Sequence, residues 1–111
     1  MDKLERYRQI IYKIISAHAQ YKSSYGDIEN LPIWDFENDN YLLMSVGWNG
    51  IKRVHNVALH VRIREGKIWI EWDGIEEGIT QELLDAGIPK EDIVLAFYHP
   101  SSRVHTGFAI A

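Results

Sequence analysis

The chain contains no cysteine. Disulfide staples, thiolate nucleophiles and thiolate metal ligands are therefore excluded. No stretch approaches the roughly eighteen consecutive apolar residues of a membrane-spanning helix. The opening MDKLERYRQ lacks the apolar core that follows the basic start of a secretory leader. The expectation is a cytoplasmic protein with no membrane contact. A basic excess is also missing. Twelve Lys and Arg stand against 16 Asp and Glu, a net charge of -4, so overall charge gives no support for nucleic-acid binding. The 8 glycines are scattered at turn-like positions and form neither a dinucleotide fingerprint nor a phosphate loop. None of the 5 histidines, His18, His55, His60, His99 and His105, shows the His-x-x-x-His spacing of a helical zinc site. His99 and His105 flank Arg103 without an obvious third ligand. Asp73, Glu76 and Glu77 cluster without the calcium-loop pattern and suit a helix start better. No cofactor and no metal are expected.

What remains is one domain over residues 1–111, with 46% apolar residues and 4 tryptophans. That length supports a single core. Residues 2–21 read as an amphipathic helix, because Leu4, Tyr7, Ile11, Ile14, His18 and Tyr21 recur at steps of three and four. Lys22 to Asp27 is a polar connection. Ile28 to Phe36 reads as an edge or bulged strand, since Pro32 lacks a ladder donor. Tyr41 to Trp48 is the second strand and Asn49-Gly50 a hairpin turn. Arg53 to Arg64 and Lys67 to Trp72 are the third and fourth strands, joined by Glu65-Gly66. Glu77 to Ala86 reads as a short helix ended by Gly87. Lys90 to Asp92 starts another turn, and Ile93 to Tyr98 is a buried strand or helix end. His99 to Arg103 reads as loop, and Val104 to Ala111 as a last strand or ordered tail. The expected fold is α+β: an N-terminal helix on an antiparallel meander of about four strands, followed by short C-terminal helices.

The segment RVHNVALHVRIREGKIWIEWD, Arg53 to Asp73, is the most informative. A two-residue turn at Glu65-Gly66 sets Arg64 opposite Lys67, Arg62 opposite Trp69 and His60 opposite Glu71. On the other face Ile63 meets Ile68, Val61 meets Ile70 and Leu59 meets Trp72. The apolar partners segregate, which supports this register. The apolar set goes to the core. His60, Arg62, Arg64, Lys67, Trp69 and Glu71 form a polar, basic and aromatic face that is the candidate contact surface for a partner or for nucleic acid. A His60–Glu71 pair could orient an imidazole for acid-base work, but no nucleophile accompanies it. No catalytic residue is assigned. An ordinary solvated sheet face explains the same pattern equally well.

Beyond these residues, several segments resemble one family. MDKLERYRQII, YKSSYGDIE, VGWNGIKRV, LHVRIREGKIWIEWDGIEEGI, ELLDAGIPKEDIVLAFYHP and the final FAIA resemble the XisI proteins of cyanobacteria, the fdxN element excision controlling factors. The resemblance runs nearly end to end. Tyr25, Asp27, Gly47, Trp48, His60, Trp69, Asp73, Gly78, Ile79, Gly87, Pro89, Asp92 and Pro100 carry it without being assigned roles. It implies an accessory factor in a programmed DNA rearrangement during heterocyst development, not the recombinase itself. It also implies a neighbouring partner, XisH, which resembles restriction-type nucleases. Many members occur where that element is absent.

Three function classes stay open from the sequence. One is a non-enzymatic regulatory partner of an XisH-like protein, with DNA contact indirect. Another is direct DNA binding through Arg62, Arg64, Lys67 and Trp69, with Lys52 and Arg53. The last is a small hydrolase centred on His60. A homodimer through an uncovered sheet face is compatible with each.

Overall fold

The computed structural model describes residues 2–22 and 26–111. The middle of the connection expected between Lys22 and Asp27, including Tyr25, lies outside the described residues. The first helix, α1, spans Lys3–Ala19. Asp2 caps it, its carboxylate accepting the Glu5 amide at 2.8 Å, and Glu5 adds negative charge to the positive end of the helix. Tyr7, Ile11 and Ile15, one per turn, are buried.

Four strands follow as antiparallel neighbours: β1 Asp27–Asp35, β2 Asn40–Asn49, β3 Lys52–Arg64 and β4 Lys67–Asp73. Pro32 lies in β1, at the sheet edge, where a missing donor is tolerated. The β3–β4 turn is Glu65-Gly66, both with positive φ (54° and 77°), the requirement of a type I′ hairpin. The β2–β3 turn lies one residue later than expected. Asn49 pairs with Lys52, so Gly50 and Ile51 form the loop. Gly50 supplies the positive φ of 64° there.

The sheet has a fifth strand beyond the expected meander. Ile93–Leu95 forms β5, parallel to β4. Parallel pairing needs a crossover, and the segment carrying the short helix α2, Thr80–Asp85, provides it. This helix is shorter than expected at its start. Gly78 has φ 74°, and the Asp73 carboxylate ties down the loop by accepting the Ile75 and Ile79 amides at 3.1 and 2.9 Å. Lys90–Asp92 is a 3₁₀ turn. Pro100–Arg103, expected as loop, is a one-turn helix α3 capped by His99. The tail adds a single bridge, Val94 to Ala109.

The helix α1 packs across β1–β3. Its buried stripe meets Tyr41, Leu43, Leu59, Val61, Ile63, Ile68 and Ile70 from the sheet, with Ile79, Leu83, Ile88 and Ile93 closing the core. No helix among the described residues is long and apolar enough to cross a membrane.

Polar clips hold α1 in place. Arg8 donates to both oxygens of Asp39 at 2.8 and 3.1 Å, from the helix to the β1–β2 turn. The Tyr41 hydroxyl adds a bond of 2.6 Å to the same carboxylate. Hydrogen bonds from Arg8, then from Tyr41, hold the Asp39 carboxyl below its ordinary range against the opposing effect of burial. On the β5 side of the sheet, Tyr7 donates to Asp92 and Lys3 lies 3.0 Å from it. Burial, with that bond, raises the Tyr7 hydroxyl to about 12.

Candidate functional site

Register decides what the Arg53–Asp73 hairpin presents. From the turn back to Val61, the pairs are those expected: Arg64–Lys67, Ile63–Ile68, Arg62–Trp69 and Val61–Ile70. Beyond them the ladder is bulged. His60 pairs with Trp72 and Leu59 with Asp73. Glu71 is thus an extra residue on β4, and it reverses the sidedness of everything after it. The expected His60–Glu71 and Leu59–Trp72 pairs do not form. Trp72, expected in the core, faces outward and is 55% exposed. His60 instead has Asn40 as a partner, with Nε2 donating to the amide oxygen at 3.0 Å. Burial lowers the His60 pKa, and Arg62 lowers it further, while Glu71 pulls in the other direction.

A second bulge, in the β2–β3 ladder, has the same consequence. Leu43 pairs with Leu59 but Met44 with Val57, leaving Ala58 as the extra residue. No simple alternation in the sequence marks either site.

Trp69 departs most from its expected role. It lies on the outer side of β4, yet it is only 6% exposed. Its Nε1 donates to the Arg64 carbonyl at 3.0 Å. The Arg64 and Arg103 guanidinium groups lie 4.8 and 5.7 Å from the ring centroid. Arg103 is fixed by bonds to the Tyr98 and Ala96 carbonyls, each at 3.1 Å. The segment after β5 therefore folds over the indole. A base cannot stack on a ring already closed in this way. Arg62 is engaged as well, 3.4 Å from Glu71. Lys67 remains beside the turn, partly exposed. At the opposite end of the hairpin Arg53 lies 5.1 Å over the Trp48 ring, beside the exposed Lys52. The expected basic-aromatic patch is thus divided into internal contacts.

The helix side carries a feature that sequence reading missed. Beyond the C-terminal end of α1, the sheet is left open beside α2, forming a groove of about 990 Å³. Ile28, Leu43, Val54, Ala58 and Ile75 supply apolar lining, and Asn30, Ser45 and Asn56 supply amides and a hydroxyl. Glu76, Glu77, Glu82 and Asp85 bring four carboxylates to it. His18 closes one end, its Nε2 2.8 Å from Glu82. Only the acidic run Glu76-Glu77 gave a hint of this rim. The groove excludes His60. No group of three or more metal-ligating side chains is assembled among the described residues.

The model of the XisI protein family matches residues 1–110. This chain belongs to the XisI family. The XisI chain resembles a solved fdxN element excision controlling factor XisI from Anabaena variabilis ATCC 29413, with 44% identity and a TM-score of 0.84. That alignment covers 99% of this chain and 100% of the other. It also resembles a solved XisI-like protein from the same organism, with 33% identity and a TM-score of 0.90 over 97% and 99% of the two chains. Among curated proteins, none matches. XisI membership makes an accessory or regulatory role the coarse functional assignment.

Proposed function

We propose that this XisI protein is a non-enzymatic regulatory factor that works by binding a DNA-processing protein, with an XisH-like, nuclease-type protein as its partner. The observation that carries the reading is the carboxylate-rimmed groove on the helix side. Its apolar floor offers area to bury, and Glu76, Glu77, Glu82 and Asp85 complement the basic surface that a DNA-handling protein must present. The relative named as an excision controlling factor supports the same role. His60 has Leu42 and Trp72 as register neighbours and an amide as its hydrogen-bond partner. None of these is a nucleophile, which argues against a hydrolase centred there. DNA contact is then made by the partner.

The test is co-expression with the XisH-like protein, tagging each chain in turn. The pair should copurify, and the double variant Glu76→Lys, Glu77→Lys should weaken it. Absence of association with either tag would reject the reading. A salt titration of duplex-DNA binding by this chain alone separates the direct alternative. Tight binding with a steep salt slope would favour it.

A further inference from the structure

We infer that the uncovered face of the sheet is the docking site for a second copy of this chain. It lies opposite the groove and does not depend on the XisH reading. Leu31 and Ile33 on β1 are 38% and 45% exposed. Leu42 and Met44 on β2, Val57 on β3 and Trp72 on β4 continue the apolar area across four strands. The rows are direct: Ile33, Leu42, His60 and Trp72 lie side by side, and Leu31, Met44 and Val57 form the next row. The helix α1 packs on the other face. A contiguous apolar area of this kind marks an interaction surface. Pro32 in the edge strand discourages edge-to-edge pairing and favours face-to-face packing.

Charge selects the occupant. Each copy carries -4, so two copies approach most easily where each presents both signs. The groove side, with its four carboxylates, would repel itself. The outer face mixes both signs. Asp27 and Arg53 share a row through Trp48, and Glu29 lies in the next row with Val46 and His55. Diagonally across, Asp35 and Arg62 share the row of Asn40. A two-fold axis between facing sheets, crossing β2 between Leu42 and Met44, brings Arg62 against Glu29 of the second copy. By symmetry the reverse contact forms too. The same axis lays the apolar rows against each other, which is the self-complementarity an isologous interface requires. Arg62 keeps its contact with Glu71, which leaves that corner with both signs represented.

The experiment is sedimentation velocity on the full chain from low to high micromolar concentration. The expected mass at the upper end is that of two chains. Ile33→Lys should leave the fold intact, because the side chain is exposed on an edge strand, and should give one chain throughout. Glu29→Arg and Arg62→Glu should each weaken association by about tenfold or more, as like charges meet. The combined variant should return to within about threefold of the wild type, because opposite signs are restored. Circular dichroism checks that each variant folds, and Glu29→Arg carries the test if Arg62→Glu does not. A one-chain mass at every concentration overturns the inference. So does a dimer indifferent to Ile33→Lys, or charge reversals that fail to compensate. A one-chain protein whose XisH complex is broken by Ile33→Lys would assign the face to a different partner and also overturn it. The Glu76 and Glu77 variants leave the dimer unchanged, so each reading can fail separately.

Discussion

Truncating Trp69 and Trp72 in turn should give opposite results to those expected from simple strand alternation. Alternation puts Trp72 inside and Trp69 outside. The bulge at Glu71 and the cover from Arg103 reverse both. Removing a buried aromatic side chain costs about 3–5 kcal/mol. Trp69→Ala also removes the donor to the Arg64 carbonyl and the ring beneath two guanidinium groups. Unfolding entropy of about 2.1 cal/mol/K per residue, over 111 residues, gives about 0.23 kcal/mol/K. Trp69→Ala should then lower Tm by about 13–22 °C. A domain of this size has only about 5–15 kcal/mol in total, so the variant sits near the limit of folding. Trp72→Ala removes an exposed ring and should cost no more than about 1 kcal/mol, or about 4 °C. Both are best measured by calorimetry in the Ile33→Lys background, which removes any contribution from self-association. A larger loss for Trp72→Ala than for Trp69→Ala would refute the bulged register.

Glycine substitutions test the β1–β2 approach. A Cβ on Gly47 would sit 2.0 Å from the Asp27 carbonyl oxygen and 2.8 Å from the Ile28 Cα, so Gly47→Ala should cost about 3 kcal/mol or more in urea unfolding. Gly50→Ala meets nothing within 4 Å and should cost only the strain of its positive φ, about 1 kcal/mol. Asp39 has a depressed carboxyl pKa, so its contribution is present above about pH 3.9 and lost as pH falls through the folded value. Asp39→Asn should be less stable at neutral pH and show a shallower acid limb in melts taken from pH 7 downward. His60 is also depressed, so the unfolded chain takes up its proton first. Stability should fall as pH drops below the ordinary 6.5 toward the folded value, and His60→Gln should remove that slope.

Local patterns made most of the fold legible. The steps of three and four in α1, the paired apolar positions Ile63–Ile68 and Val61–Ile70, and the Glu65-Gly66 turn each express physics confined to neighbouring residues. The strand β5 was ambiguous because three apolar residues fit a strand or a helix end equally well. The candidate face was read less well, for reasons that lie outside the hairpin. Glu71 and Ala58 enter the ladder as extra residues, and their hydrogen bonding depends on the sheet as a whole. Trp69 is covered by residues some thirty positions later in the chain, beginning with Ala96 and ending with Arg103. The acidic groove is an arrangement of α1, α2 and the sheet, and only its Glu76-Glu77 rim left a trace in the sequence. The family could be identified from its segments even where the use of individual side chains could not.

The clips on α1 have a consequence for biosynthesis. Its partners lie at Asp39, Glu82, Ala86 and Asp92, and three of those four belong to the last third of the chain. The helix leaves the ribosome before all of them, and its final contacts form only after Asp92 has emerged. Until then Tyr7, Ile11 and Ile15 have no complete core to enter. Closing contacts over such long separations slows folding and prolongs the exposure of apolar surface. The nascent chain is therefore most vulnerable to aggregation just before its C-terminal segment arrives, and truncation there would leave the first helix without its anchors.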